Sequence, residues 1–251
     1  MTWYRAMTLV IAGLILPLAS LSAQAAEMKL LASTAIKSAL EEMGPLFEKA
    51  TGDKLVFTFG PAAVLKGQID QGAVFDVSVL TGPLTDALIQ SGKINAAVSA
   101  PIARAGLGVA VRADTATPDV STDAALKAAL MNAKSIGYNG VGASRSGSET
   151  MIKKLGIADA LQPKIKLLNE SAPVAVARGE VEMGLGPVSA ILPVAGARLA
   201  GPFPADVQSF LVFSAGASNA TKNARDAKLL IEYLRSPAAT PVLKSKGMEP
   251  G

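Results

Sequence analysis

Small and hydroxyl-bearing residues recur at the turns of this sequence, and one of these turns also carries an arginine. The stretch YNGVGASRSGSET, residues 138–150, holds three glycines, three serines and Arg145. Main-chain N–H groups and hydroxyls at a helix start bind anions, and the arginine fork matches a carboxylate. We therefore predict a flexible, anion-gripping loop at a helix start. Four turns of this kind are predicted to bind a ligand together. Their predicted ligand-binding residues are Ser33, Thr34, Pro61, Ala62, Ala63, Ser144, Arg145, Ser146, Ser148, Pro187 and Ser189.

Each of these residues also has a plainer interpretation. Ser33 or Thr34 could be an ordinary helix cap, because serine and threonine are preferred at that position. Gly60-Pro61 could be only a turn. Arg145 could be a solvated surface residue. The functional interpretation gains weight because all four turns are expected at the same end of two sheets.

The composition excludes several kinds of chemistry. The chain has 251 residues with no histidine and no cysteine, which excludes thiolate nucleophiles, imidazole bases, Ser-His-Asp triads and the usual zinc sites. We therefore expect neither a metal nor a cofactor. The formal charge of +4 is small and the basic residues form no runs, so no nucleic-acid partner is expected.

The first 25 residues have the pattern of a secretory signal peptide. Arg5 precedes an apolar run from Met7 to Leu18, and small residues follow at the positions that a signal peptidase reads. We predict cleavage after Ala25 or Ala26 and export to the periplasm. The alternative is an uncleaved anchor, but the apolar run is shorter than the roughly 20 residues that span a bilayer.

The turns must be positioned by alternating strands and helices. Strands are predicted at Met28–Ala32, Lys54–Phe59 and Phe75–Leu80, each followed by a helical pattern, and this order favours parallel sheets. Two longer apolar strands, Ala105–Ala113 and Ser209–Ala217, are predicted to cross between two lobes. Ligands of such sheets bind beyond the carboxyl ends of the strands, where helix N-termini converge.

The sequence resembles the periplasmic molybdate-binding proteins of ABC importers over nearly the whole mature chain. The likeness is carried by residues 30–94 and by the stretches KKLGIADALQPKIKLL, ARGEVEMGLGPVSAILPV and LIEYLRSPAATPVLKSKGMEP. The resemblance implies a two-lobed α/β fold of the type II periplasmic-binding-protein class, with mixed sheets flanked by helices and a ligand cleft between the lobes. One lobe is expected at 26–108 and 210–251, and the other at 109–209.

The expected ligand contacts of that family are only partly present. Ser33 matches the serine of the first turn, but the second turn, Gly60-Pro61-Ala62-Ala63, has no hydroxyl. Pro187 stands where the family commonly has a tyrosine. These departures weaken molybdate as the ligand, and Arg145 points toward an organic carboxylate instead.

Two main functions follow from the resemblance. The first is a periplasmic, monomeric binding protein that captures a small anion by lobe closure and delivers it to an ABC permease; a receptor subunit that senses its ligand without transport is a variant. The second is a cofactor-independent isomerase of a small polycarboxylate. DVSVLTGP, SAILPV and KGMEP are similar to a subgroup that includes aconitate isomerases, for which Glu149, Lys37 and Tyr138 are the candidate bases.

Overall fold

The computed structural model describes residues 26–141 and 143–251, so the predicted signal peptide lies outside the described residues. Ten strands and ten α-helices make up this part of the chain. The strands are β1 (Glu27–Ser33), β2 (Lys54–Gly60), β3 (Val77–Thr81), β4 (Ile94–Arg112), β5 (Ile136–Asn139), β6 (Ile165–Leu168), β7 (Met183–Pro187), β8 (Ala197–Pro202), β9 (Phe210–Ser218) and β10 (Glu249–Pro250).

The helices surround these strands. They are α1 (Lys37–Thr51), α2 (Ala62–Asp70), α3 (Gly82–Gln90), α4 (Asp123–Asn132), α5 (Ser144–Lys154), α6 (Ala158–Leu161), α7 (Ala172–Ala177), α8 (Val188–Ile191), α9 (Ala224–Leu234) and α10 (Thr240–Ser245). Short 3-10 helices lie at Thr34–Ile36, Gln162–Lys164 and Ala205–Val207. None of the helices in the described part of the chain combines the length and apolar character that crossing a membrane requires.

The predicted α/β fold class is confirmed. β1 pairs in parallel with β2 and β3, and each of these strands is followed by a helix, as the sequence pattern predicts. β9 pairs antiparallel with β3 and with β4, so the sheet is mixed. β8, which the hydrophobic pattern does not predict, lies in a segment interrupted by Gly201 and Pro202.

The strands form two sheet regions that share β4. The first sheet has the order β2-β1-β3-β9-β4 and includes β10; the second has the order β4-β7-β5-β6 and includes β8. β4 pairs with β9 as far as Gly106 and with β7 from Leu107 onward. The predicted lobe boundaries stay a prediction, but β4 and β9 do lie where the chain passes from one sheet to the other.

Each sheet has its own buried core. On one face of the first sheet, Met28, Leu30 and Phe213 pack with the apolar sides of α1 and α9. In the second sheet, Ile136 and Tyr138 pack with α4 and α5. Burying one large apolar side chain stabilises a fold by about 1.5–3 kcal/mol, so these clusters fix the strands whose ends carry the turns.

Candidate ligand-binding site

The turn after β1 is capped by Ser33. This serine is 6% exposed, and its Oγ accepts a hydrogen bond from the main-chain N–H of Ala35 at 3.4 Å. The next residue, Thr34, begins the 3-10 helix and is exposed. The structure therefore gives Ser33 a capping contact and leaves the Thr34 side chain in solvent.

The turn after β2 lies beside the turn after β1, because Gly60 is the register partner of Ser33. Pro61 precedes α2, and no side chain caps the helix. Ala62 and Ala63 are the first two residues of α2, whose first turn has no acidic residue. The corner thus offers main-chain N–H groups and apolar side chains, without a hydroxyl.

The turn after β5 differs from the sequence prediction, because α5 begins at Ser144 and not at Glu149. The prediction of a flexible loop through residue 148 is therefore wrong. The physical reason is packing: Gly147 lets α5 lie against β4, where a Cβ would sit only 2.6 Å from Cδ1 of Leu107. Ser148, which is fully buried, also donates its hydroxyl to the carbonyl of Ser144 at 3.1 Å within the helix.

Arg145 makes its hydrogen bonds within the same corner. Its Nε donates to Oε1 of Glu149 at 2.8 Å, and its Nη1 donates to the carbonyl of Gly140 at 2.7 Å. The hydrogen bond to Glu149 and the charge of that carboxylate raise the pKa of Arg145. Ser146 is exposed, and its hydroxyl lies 3.5 Å from the carbonyl of Ala143.

Tyr138 lies close to this ion pair. It is 3% exposed at the end of β5, and burial is the main reason why its pKa is raised. The Glu149 carboxylate raises the pKa of Tyr138 further, whereas Arg145 lowers it. The structure therefore brings together two of the three candidate bases, Tyr138 and Glu149.

The third candidate base, Lys37, lies in the other sheet region. Its Nζ is 3.5 Å from Oε1 of Glu41 and 5.7 Å from the ring centroid of Phe59. Both of these contacts are made with residues of α1 and β2. Lys37 therefore contacts residues of the first sheet region, whereas Tyr138 and Glu149 belong to the second.

The turn after β7 contacts the turn after β1 directly. Pro187 is buried and precedes α8. Ser189, 2% exposed, donates its hydroxyl to the carbonyl of Ala35 at 2.9 Å. This hydrogen bond joins the two sheets at the carboxyl ends of their strands. With the neighbouring pairs β1–β2 and β5–β7, it links all four predicted turns.

Sequence reasoning missed a fifth turn, after β6. β6 is a parallel neighbour of β5, and Nδ2 of Asn139 donates to the carbonyl of Glu170 at 3.0 Å. Ser171 then precedes α7, which has Pro173 in its first turn. The serine followed by proline after the strand KIKLL is the signal of a helix start that could have found this turn.

Two cavities are described, and none of their lining residues belongs to these turns. One of about 340 Å³ is flanked by α3, β4 and β9, and its lining includes Asp86, Ser99 and Ser214. A smaller one of about 80 Å³ is lined by residues that include Ser236 and Thr240. In the described residues, no group of three or more acidic side chains is placed to hold a metal ion.

Comparisons with known proteins agree on one family. A family model described as a bacterial extracellular solute-binding protein matches residues 28–249. The chain is 27% identical to the molybdate-binding protein ModA of Azotobacter vinelandii, over 90% of this chain and 91% of that protein. It is 25% identical to the aconitate isomerase of a Pseudomonas species, over 89% of this chain and 87% of that protein.

A solved structure shows the same fold. The periplasmic molybdate-binding protein of Azotobacter vinelandii superposes with a TM-score of 0.75 at 21% identity, over 88% of this chain and 98% of that one. At this level of identity the likeness is evidence of fold alone. It confirms the fold class predicted from the sequence.

Proposed function

Because the chain belongs to the bacterial extracellular solute-binding protein family, we propose that it captures a small anion between its two sheets for an ABC importer. The observation that carries this proposal is the hydrogen bond from Ser189 to Ala35, which draws helix starts of both sheets to one place. Closure of the sheets over a ligand would exclude water there and strengthen each donor contact.

The charge of the ligand follows from the donors. α2 and α5 both begin without a side-chain cap and without an acidic residue in the first turn. Their main-chain N–H groups and partial positive charge favour an anion at these corners. Arg145 adds a full positive charge at the start of α5, and its Nη2 makes no hydrogen bond to the described residues.

Within the anions, we favour an organic carboxylate. The hydroxyls of Ser148 and Ser189 already donate to main-chain carbonyls, so of these three buried serines only Ser33, whose Oγ accepts a bond from Ala35, keeps a hydroxyl that can donate to a compact oxyanion. The guanidinium fork of Arg145 fits the two oxygens of a carboxylate. The two relatives do not decide between an oxyanion and a carboxylate, since one is named a molybdate-binding protein and the other an aconitate isomerase.

A ligand panel tests the proposal. The purified protein is titrated with molybdate, tungstate, sulfate, citrate and both aconitate isomers while the melting temperature is followed, since a ligand of the folded state raises it. We expect a carboxylate to raise the melting temperature and Arg145→Ala to weaken that ligand at least about tenfold, because a charge-assisted hydrogen bond is lost.

Arg225→Ala is the matched control, because Arg225 is exposed on α9, on the outside of the first sheet. It should bind like the parent protein. If only molybdate or tungstate raised the melting temperature, the ligand would be an inorganic oxyanion and not an organic carboxylate. If Arg145→Ala bound the ligand as tightly as the parent protein, Arg145 would not be a ligand contact.

A second candidate function is isomerisation of a small polycarboxylate. The observation that favours it is the grouping of Tyr138, Arg145 and Glu149 at one corner, together with the relative named aconitate isomerase. In such a reaction Glu149 would take a proton from one carbon of the allylic system and return it to the other, without a cofactor. Incubation of the protein with cis-aconitate, followed by proton NMR, decides this: formation of the trans isomer that Glu149→Gln abolishes supports the enzyme, and unchanged substrate excludes it.

The location of the protein belongs to the same proposal. Residues 1–25 are proposed to direct export to the periplasm and to be removed there. Amino-terminal sequencing of protein from a periplasmic extract tests this, with a mature start at Ala26 or Glu27 expected. Gel filtration with light scattering tests the proposed monomer.

A further inference from the structure

The point where β4 passes from the first sheet to the second is held by a side chain. β4 pairs with β9 through Gly106, opposite Phe210, and with β7 from Leu107, opposite Pro187. Main-chain hydrogen bonds reach this point from both sides, because the N–H of Leu107 donates to the carbonyl of Ser209 at 3.2 Å and the N–H of Phe203 donates to the carbonyl of Leu107 at 2.9 Å. Gln208, which follows the 3-10 helix Ala205–Val207, lies beside Leu107 at this change of partner.

The carboxamide of Gln208 adds a second hydrogen bond to both the N–H and the carbonyl of Leu107, in the manner of a peptide group. Its Oε1 accepts from the N–H of Leu107 at 2.8 Å, and its Nε2 donates to the carbonyl of Leu107 at 3.1 Å. The same Nε2 donates to the carbonyl of Phe203 at 3.0 Å, and Oε1 also accepts from the N–H of Ser209 at 2.9 Å. One side chain therefore joins β4, the segment after β8 and the start of β9.

The neighbouring residues make room for this arrangement and connect it with the candidate site. A Cβ on Gly106 would lie 3.3 Å from Nε2 of Gln208, so the missing side chain lets the carboxamide lie close to β4. A Cβ on Gly147 of α5 would lie 3.0 Å from Cβ of Ser209, and Lys154 of α5 donates to the carbonyl of Asp206 at 2.8 Å. The helix that carries Arg145 thus rests on the segment that Gln208 fixes.

We propose that Gln208 is a positioning residue that fixes the angle between the two sheets at their crossing point. A peptide-like group that pairs with both the N–H and the carbonyl of one residue resists rotation about that residue. Removing the group therefore leaves only main-chain hydrogen bonds to hold Leu107, and the crossing point becomes less rigid. Only the purpose of this role depends on the proposed function, because a binding protein that closes over its ligand needs a defined hinge. The geometry of Gln208 itself does not depend on it.

The experiment measures hinge geometry in protein without ligand, so it does not depend on what the protein binds. The chain has no cysteine, so Lys49→Cys on α1 and Asp159→Cys on α6, both exposed, give one label in each half. Pulsed electron-spin resonance then gives the distribution of distances between the labels. The test variant is Gln208→Met, which keeps the length of the side chain and removes its donors and acceptor.

Gln90→Met is the matched control, because Gln90 is exposed at the last residue of α3. We expect Gln208→Met to broaden the distance distribution or shift it, and the control to leave it unchanged. The exchange of the Leu107 amide proton should also become up to about tenfold faster, because the nearer of its two acceptors, Oε1 of Gln208 at 2.8 Å, is lost and only the carbonyl of Ser209 at 3.2 Å remains.

A lower melting temperature with an unchanged distance distribution would overturn the proposal, since the residue would then only stabilise the fold. Gln208→Glu provides a second test if the methionine variant does not fold. It retains Oε1 as acceptor and sets a carboxylate oxygen against the carbonyls of Leu107 and Phe203, so the same shift is expected. An unchanged distribution in the glutamate variant would equally overturn it. Failure of the ligand panel, in contrast, would overturn the proposed function and leave the hinge result intact.

Discussion

The helices α2 and α5 occupy comparable places in the two sheets but differ in how they are held. Both follow a strand that is in a parallel pair, both begin without a side-chain cap, and both contain an internal glycine. A Cβ on Gly67 of α2 would meet nothing within 4 Å, whereas one on Gly147 of α5 would collide with Leu107. α2 is therefore not packed closely at its glycine and begins with main-chain amides that no side chain caps, whereas α5 packs tightly against the crossing strand β4.

The side chains of the two corners differ in the same way. Ala62 and Ala63 bring no polar side chain to the start of α2. At α5, Arg145 and Ser148 make hydrogen bonds within their own corner. A ligand would meet free amides on one side, and on the other it would have to compete with Glu149 for Arg145. The comparison predicts that α2 contacts the anion through main-chain amides alone, whereas α5 contributes the Arg145 side chain and is also packed against the crossing strand.

The largest effect is expected from Gly147→Ala. The added methyl group would lie 2.6 Å from Cδ1 of Leu107 and 3.0 Å from Cβ of Ser209. Overpacking of this kind costs about 1–3 kcal/mol of unfolding free energy. Urea unfolding followed by circular dichroism measures the loss.

Gly67→Ala is the matched change in α2. It fills open space within a helix, where alanine is favoured over glycine by roughly 0.5–1 kcal/mol, so this variant should be more stable than the parent. Equal losses of stability in the two variants would contradict the contrast between the helices.

An intermediate effect is expected from Ala63→Asp at the second residue of α2. A carboxylate there complements the helix dipole and should stabilise the protein by about 0.3–1 kcal/mol. The same carboxylate would repel an anion at this helix start and weaken its binding at least about tenfold. Isothermal titration with the best ligand of the panel, together with urea unfolding, measures both changes.

Ala63→Asn is the control, since it is similar in size to aspartate but has no charge. It should bind the ligand much more tightly than Ala63→Asp. If the aspartate variant bound the anion as tightly as the parent protein, the start of α2 would not contact the ligand.

The smallest effect is expected at alkaline pH from Tyr138. Its pKa in the folded protein is raised above the ordinary value of 10.0, mainly by burial. Above pH 10.0 the unfolded chain therefore releases this proton more readily than the folded one, and the unfolding free energy falls as the pH rises. Tyr138→Phe should flatten this decline.

Tyr233, whose pKa is also raised by burial, allows a comparison with the first sheet. Tyr233→Phe should remove only the part of the decline in unfolding free energy that Tyr233 causes. The part that Tyr138 causes should remain. Urea unfolding at pH values from neutral to strongly alkaline measures both. An unchanged slope in Tyr138→Phe would contradict the assignment.

Much of the fold could be predicted because the relevant signals are local. The apolar run at residues 28–32 and the turn at Gly60-Pro61 place β1 and β2 to within one or two residues. β8 could not be found in this way, because Gly201 and Pro202 interrupt its pattern and its pairing with β4 depends on residues far away in sequence. Strands held by distant partners are weakly marked in their own sequence.

The candidate site could be predicted only at the level of its turns. Serine and glycine are weak helix formers, so the sequence around Gly147 suggests a loop, and only packing against β4 explains the helix. The bond between Ser189 and Ala35 spans 154 residues, and no local pattern indicates it. Gln208 gives no signal at all, because a lone glutamine in a polar segment is ordinary.

The place of β9 within the first sheet has a consequence for biosynthesis. β9 lies between β3 and β4, yet β4 ends at Arg112 and β9 begins only at Phe210. A nascent chain in which β3 and β4 have formed therefore exposes two unsatisfied strand edges until β9 has been synthesised, and such edges invite aggregation. Because β9 follows β5, β6, β7 and β8 along the chain, the first sheet can close only after the strands of the second sheet have been synthesised.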